Sequence, residues 1–121
     1  MRIEACYEAL GGDYQDVSKR LPTQKMIEKF IGKFLQDDSY SQLCAAFAAG
    51  NCEESFRAAH TLKGVAGNLG FTRLMHSASL LTEALREKSG PIPEASVALL
   101  EDVKQDYDVT TGAIRAYLSE K

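Results

Sequence analysis

Residues 51–70 read NCEESFRAAHTLKGVAGNLG and predict one long amphipathic helix. Apolar residues recur here at intervals of three and four, the spacing that places side chains on one face of an α-helix. They are Cys52, Phe56, Ala59, Leu62, Ala66 and Leu69. Asn51 and Glu54 have the spacing of a capping box at the start of the helix, and Gly70 is typical of the residue after a helix end. Such a helix needs other helices to cover its apolar stripe.

The same helical periodicity continues on both sides of this stretch. No segment alternates with a period of two over a useful length, so no β-strand is predicted. Thr23 is the predicted N-cap of a strong helix, Pro22 ends the segment before it, and Ser89–Pro93 is the clearest loop. The predicted helical segments are 3–10, 14–21, 23–36, 40–49, 52–69, 71–88 and about 100–117.

The last four segments are long and joined by short connections, which is how antiparallel up-down bundles are built. The sequence therefore predicts an all-α fold, an antiparallel up-down four-helix bundle in which the segment 23–36 is an N-terminal helix capping one end. Residues 1–22 are predicted to be an N-terminal helical extension, and residues 23–121 to be the bundle itself.

Length and composition exclude several classes of function. The chain has 121 residues, a mass of 13.3 kDa and a net charge of −3, with no basic stripe of the kind that a general nucleic-acid binder shows. Its three cysteines form no CxxC pair, and the charged N-terminus does not resemble a signal peptide. The longest apolar-rich stretch, Leu43–Ala49, is too short to span a bilayer. We expect a cytoplasmic, single-domain protein that binds neither nucleic acid nor membrane.

His60 lies on the flank of the apolar stripe, and two glycines share its strip of helix surface. Gly64 and Gly67 follow at i+4 and i+7, and each costs about 1 kcal/mol relative to alanine inside a helix. Their effect is to remove side chains beside the imidazole, so that another protein's surface could approach it closely. Lys63, at i+3, can reach back toward the same ring. The pattern predicts a site for a negatively charged adduct on His60.

Residues 59–70, AHTLKGVAGNLG, closely resemble the signature of histidine-containing phosphotransfer (HPt) domains. That signature reads His-x-Leu-Lys-Gly, then a small residue, which here is Gly67, then a glycine six residues after the Lys-Gly pair, which here is Gly70. The resemblance extends over roughly residues 23 to 119. It implies a phosphorelay intermediate in which His60 exchanges a phosphoryl group with the aspartate of a response-regulator receiver domain.

The resemblance also implies roles for the neighbouring residues. Lys63 would stabilise the phosphoryl charge, while Gly64 and Gly67 would leave room for the receiver. Asn68 and Phe71 complete the predicted docking surface, although Asn68 could equally help to end the helix and Phe71 could equally belong to the core. No cofactor or metal is expected on this chain, because the Mg²⁺ of the reaction belongs to the receiver. The expected partners are receiver domains and a histidine kinase or hybrid kinase, and the expected state is a monomer.

A histidine-kinase dimerisation helix would show an acidic residue after the histidine and a nucleotide-binding domain downstream. Thr61 follows His60 here, and no Gly-rich nucleotide box is present, so the chain is predicted to be a phosphocarrier without kinase activity.

Three other interpretations compete with the phosphocarrier. The first is a phosphorylation-independent adaptor that binds a signalling partner through the same surface. The second is a bundle that binds a small molecule or metal in its core, for which only Thr110 and Thr111 supply polar groups. The third is a metal site, although its spacings match no known ligand pattern. Its ligands would be Cys44, Cys52, His60 and His76. His76 lacks the surrounding glycines and lysine and is predicted to be a surface or boundary residue.

Overall fold

A computed structural model describes residues 1–120 and contains seven α-helices among them. They are α1 (Ile3–Leu10), α2 (Tyr14–Arg20), α3 (Gln24–Phe34), α4 (Ser39–Ala48), α5 (Cys52–Asn68), α6 (Thr72–Leu85) and α7 (Ser96–Ser119). The predicted all-α fold is confirmed, and the described residues contain no strand. None of these helices is both long enough and apolar enough to cross a lipid bilayer.

Helices α4 to α7 form the antiparallel bundle, and their ends follow the local chemistry of the sequence. The side chain of Asn51 accepts a hydrogen bond of 3.0 Å from the Glu54 N–H and so caps α5. Glu54 does not complete the capping box, because its carboxylate pairs with Arg57 at 2.7 Å. Gly50 and Gly70 have φ values of +73° and +74°, which reverse the chain after α4 and after α5.

Helix α3 closes one end of the bundle, as the sequence predicts. Thr23 accepts a hydrogen bond of 3.1 Å from the Met26 N–H at its start. The Phe34 ring at its other end lies 5.1 Å from the ring of Phe71 and 5.9 Å from that of Tyr107, measured between centroids. Helix α3 is therefore joined to the α5–α6 turn and to α7 by a cluster of aromatic side chains.

The first two helices pack onto the bundle. Ile3, Cys6 and Leu10 of α1 are completely or almost completely buried, chiefly against α7. The buried hydroxyl of Tyr7 donates a hydrogen bond of 2.7 Å to the carbonyl of Leu69 at the end of α5. The Asp13 N–H, before α2, donates one of 2.8 Å to the carbonyl of Gly70. Both helices thus contribute to the same core as the bundle. The division of the chain at residue 22 stays a prediction.

The largest differences from the predicted helix boundaries are at the end of α6 and at the start of α7. Helix α6 ends at Leu85, three residues earlier than expected. Helix α7 begins at Ser96 and continues without interruption through Thr110, Thr111 and Gly112. The threonine hydroxyls donate to carbonyls one turn earlier in their own helix, at 2.7 and 3.0 Å, and so do not compete with helix formation.

Candidate functional site

The imidazole of His60 is exposed near the middle of α5. Its ring centroid lies 5.9 Å from that of Phe56, one turn earlier on the same helix. One turn later, a Cβ atom added at Gly64 would have no heavy atom within 4 Å, apart from its own stretch of helix. The sequence-based prediction of an uncrowded surface beside the histidine is therefore consistent with the geometry at Gly64.

Gly67 is less open than Gly64. A Cβ atom at this position would meet the Met75 side chain of α6 at 3.5 Å, which is an ordinary van der Waals contact. Both glycines lie inside α5 and neither has a positive φ, so the backbone does not require glycine at either place. Alanine would fit at both positions within this chain. The packing of the chain itself therefore does not explain why glycine is present.

Charged side chains from two helices lie near His60. Lys63 on α5 is half-buried. Arg86, which follows α6, lies with its guanidinium carbon 5.1 Å from the centroid of the Phe56 ring and donates hydrogen bonds of 2.8 and 3.0 Å to the Glu83 carboxylate. That interaction lowers the pKa of Glu83 below its usual value, and the charges of Lys63 and His60 act in the same direction. Two cations and one carboxylate therefore lie on the same part of the surface as the imidazole.

Phe56, Glu83 and Arg86 are candidate site residues that the sequence patterns did not indicate. Phe56 was predicted only as a core residue, but its ring is half-buried and lies between His60 and Arg86. Arg86 is 26 positions from His60 in the chain. A cation near the end of α6 was visible in the sequence. Which residue of α5 it would face depends on the register of two helices, which periodicity does not specify.

Phe71 is a core residue, and its predicted role in docking is wrong. Its side chain is 0% exposed and contacts the rings of Tyr7 and Phe34, with centroids 5.9 and 5.1 Å away. Phe71 directly follows Gly70, and the chain reversal there turns its ring inward. A partner protein cannot contact this side chain without unfolding the end of the bundle.

Asn68 is exposed at the last turn of α5, and its backbone has a structural role. The guanidinium of Arg20 donates to the carbonyls of Asn68 at 2.9 Å and of Gly67 at 3.0 Å. Arg20 also forms a two-point ion pair with Asp16, at 2.6 and 3.1 Å. The last carbonyls of a helix lack hydrogen-bond donors within the helix. Here Arg20 of α2 donates to two of them. The Asn68 side chain stays available to a partner.

The alternative sites that the sequence suggested do not assemble. His76 is exposed on α6, as predicted for a surface residue. Within residues 1–120, no group of three or more His, Cys, Asp or Glu side chains is arranged to hold a metal ion. Thr110 and Thr111 are buried, but their hydroxyls donate hydrogen bonds to the carbonyls of Asp106 and Tyr107 in their own helix.

Comparison with known families gives a match over most of the chain. The family model described as Hpt domain matches residues 26–111, which include α4, α5, α6 and most of α3. No curated protein and no solved structure matches the chain.

Proposed function

Because the chain belongs to the Hpt domain family, whose members are histidine phosphotransfer modules of phosphorelay signalling, we propose that His60 is its phosphoacceptor and exchanges a phosphoryl group with the aspartate of a receiver domain. One observation carries this proposal. The imidazole is exposed on a helix strip where the space beside Gly64 is empty. A nucleophile that reacts inside another protein's active site needs such space.

The transfer requires no redox partner. The unprotonated ring nitrogen of neutral His60 attacks the phosphorus of the receiver's aspartyl phosphate. A nitrogen–phosphorus bond forms, the phosphorus–oxygen bond to the aspartate breaks, and its electron pair leaves with the carboxylate. The other ring nitrogen carries its proton during the attack. The phosphorylated ring is then cationic and can release that proton to solvent. The reverse reaction, with an aspartate carboxylate of a receiver as nucleophile, returns the phosphoryl group.

The cations around His60 support an anionic adduct at this position. The Lys63 ammonium and the Arg86 guanidinium can pair with phosphoryl oxygens, although solvent screens such contacts because Arg86 is exposed and Lys63 is only half-buried. Glu83 opposes them, because its carboxylate accepts two hydrogen bonds from Arg86 and so offsets the charge of that cation until a phosphoryl group competes for it. We assign Lys63 to charge stabilisation and Gly64, Gly67 and Asn68 to docking.

The rest of the reaction belongs to the partners. We place the Mg²⁺ of the exchange on the receiver and assign no cofactor to this chain. Its partners are receiver domains and a separate histidine kinase or hybrid kinase, and the carrier acts as a monomer in the cytoplasm without kinase activity of its own.

The two histidines of the chain provide a matched test. Incubation with a phosphorylated receiver should give an acid-labile, base-stable phosphoprotein in the wild type and in His76→Gln, because His76 is also exposed but lies outside the site. His60→Gln should show no label. Label that survives in His60→Gln would overturn the assignment. Binding of a receiver that continues after His60→Ala, with no label in the wild type, would instead support the phosphorylation-independent adaptor.

A further inference from the structure

We propose that Glu83 weakens the attachment of a phosphoryl group to His60 by holding the Arg86 guanidinium in an ion pair, which has to open before that guanidinium can bind a phosphoryl oxygen. This inference rests on the proposed function, because it names what regulates the phosphoryl group at the same site. It adds no covalent step. Arg86 donates to the carboxylate in the free protein and to the phosphoryl group in the phosphorylated protein. We call the two residues the Glu83–Arg86 pair.

The Glu83–Arg86 pair has a defined geometry. Two nitrogen atoms of the guanidinium donate to the two carboxylate oxygens of Glu83, at 2.8 and 3.0 Å, and such a two-point contact fixes the plane of the guanidinium. The Phe56 ring contacts the same group, with its centroid 5.1 Å from the guanidinium carbon and 5.9 Å from the centroid of the His60 ring. One carboxylate and one aromatic ring therefore hold Arg86 beside His60.

A phosphoryl group on His60 would compete with Glu83 for the guanidinium. The side chains of Arg86 and Glu83 are 43% and 57% exposed, so solvent screens their attraction and the pair opens at little cost in free energy. A phosphoryl group carries more negative charge than a carboxylate, and the arginine side chain binds both with the same fork of N–H donors. The pair is therefore weak enough to open when His60 is phosphorylated.

Glu83 also acts directly on the phosphorylated protein. The hydrogen bonds from Arg86 are the main cause that lowers the pKa of Glu83, and the charges of Lys63 and His60 lie near enough to lower it as well. A phosphoryl group on His60 would place negative charge near this carboxylate, and like charges repel. Both the lost ion pair and the repulsion raise the free energy of the phosphorylated protein, so Glu83 favours return of the phosphoryl group to a receiver.

The backbone fixes the position of Arg86 at the end of α6. Arg86 itself leaves the helix in an extended conformation, with φ −62° and ψ 131°, and its N–H donates to the Glu83 carbonyl at 3.3 Å. Glu87, the next residue, has a φ of +56° and is the one non-glycine residue among residues 1–120 with a positive φ. Such strain persists only where the surrounding structure maintains it. Opening of the pair therefore requires movement of the side chains alone.

A double-mutant cycle on phosphoryl exchange tests the inference. The measured quantity is the equilibrium distribution of label between this chain and a receiver. Glu83→Gln should shift that equilibrium toward phosphorylated His60 about fivefold, the effect of one well-formed exposed ion pair. In the Arg86→Gln background the same substitution should shift it less than about twofold, because no guanidinium is left to release. Equal shifts in both backgrounds would overturn the inference, since Glu83 would then act by repulsion alone.

Glu87 provides the matched control. It is exposed and adjacent to Arg86, and Glu87→Gln changes the net charge as Glu83→Gln does. The hydrogen bonds that the Arg86 side chain donates go to Glu83 instead. Glu87→Gln should leave the exchange equilibrium within about twofold of the wild type, because solvent and salt screen an exposed charge without a hydrogen-bonded partner. A shift as large as that of Glu83→Gln would show that any nearby carboxylate has the same effect, and would overturn the role of the pair.

A small phosphodonor separates this inference from the proposed function. Phosphoramidate can phosphorylate a histidine without a receiver: a bond forms between the ring nitrogen and phosphorus, the donor's own nitrogen–phosphorus bond breaks, and ammonia leaves. We follow the Arg86 Nε–H resonance by NMR and assign it with Arg86→Gln. This resonance should differ between the free wild type and free Glu83→Gln, and should coincide once both proteins are phosphorylated.

The possible outcomes of this experiment are distinct. A difference between the two proteins that is as large after phosphorylation of His60 as before would show that Arg86 stays on Glu83. That result would overturn the inference and leave the proposed function intact. No label on His60 from either phosphoramidate or a phosphorylated receiver would overturn both.

Discussion

Two glycines six positions apart, Gly64 and Gly70, are present for opposite physical reasons. Gly64 has ordinary helical geometry and empty space where a side chain would project, so nothing within the chain requires it. Gly70 has a φ of +74°, and a Cβ atom there would lie 2.7 Å from the Asp13 carbonyl oxygen. The fold explains Gly70, whereas the proposed receiver explains Gly64.

Substitution of Gly64 should separate stability from transfer. Gly64→Ala should raise the free energy of unfolding by about 0.5–1 kcal/mol, because alanine loses less backbone entropy in a helix and meets no neighbour. Gly64→Gln should remain folded but slow phosphotransfer strongly, because its side chain occupies the space that the receiver needs. Urea unfolding and the receiver-transfer assay measure the two effects.

Gly112 supplies the matched control for this prediction. It also lies inside a helix, α7, with no heavy atom within 4 Å of an added Cβ atom. Gly112→Ala and Gly112→Gln should change stability as the Gly64 variants do and leave transfer unaltered. Normal transfer by Gly64→Gln would show that the space beside His60 has no role in docking.

At the level of the helices, the sequence predicted the position of each helix along the chain better than the packing of the helices against one another. Helices α3 to α7, the caps Thr23 and Asn51, and the chain reversal at Gly70 follow from apolar periodicity and local hydrogen bonding, and all are present. The packing of α1 and α2 against the end of α5 did not follow. It depends on contacts such as Tyr7 with Leu69, which are 62 residues apart and leave no periodic signal.

The same limit applies to the candidate site. His60, Lys63 and Gly64 share one helix, so their proximity could be derived from the helical repeat alone. Arg86 reaches the site from α6 by packing on Phe56, and only the register of α5 against α6 places it there. The helical pattern does not decide between a core and a docking role for Phe71, because the orientation of that side chain depends on the turn at Gly70.

The junction of α2 with the α5–α6 turn can be tested at Gly70. Gly70→Ala should lower the free energy of unfolding by more than about 2 kcal/mol. The new methyl group collides with the Asp13 carbonyl and separates the Asp13 N–H from the Gly70 carbonyl, in addition to the strain of a positive φ. Chemical denaturation measures the loss.

Gly50→Ala isolates the backbone strain in that loss. Gly50 has nearly the same φ, +73°, but no heavy atom lies within 4 Å of an added Cβ atom. Gly50→Ala should lower the free energy of unfolding by only the strain of a positive φ at alanine, about 1–2 kcal/mol. Equal losses of unfolding free energy in Gly50→Ala and Gly70→Ala would mean that the segment around Asp13 does not pack against the α5–α6 turn.

For the whole molecule, one core joins all seven helices, and several of its buried groups ionise at alkaline pH. Burial raises the pKa of the Cys6 thiol from 9.0 to about 11. Burial is also the main cause that raises the pKa of the Tyr7 and Tyr40 hydroxyls above their ordinary value, and that of Tyr117 to about 12. Each of these groups is neutral in the folded protein at neutral pH.

This set of raised pKa values predicts that the protein loses stability in alkali. A group with a raised folded-state pKa contributes its full stabilisation below the unfolded-state pKa and loses it as the pH rises toward the folded-state value. The free energy of unfolding should therefore be nearly constant from pH 7 to 8.5. For Cys6 it should then fall between pH 9 and 11, by at most about 1.4 kcal/mol per pH unit for one proton.

Urea unfolding of the reduced protein across this pH range measures the slope, and Cys6→Ala should remove the part of the slope that the thiol contributes. A stability that rises with pH above 9 would contradict the burial of these groups, and with it the packing of α1 against the bundle.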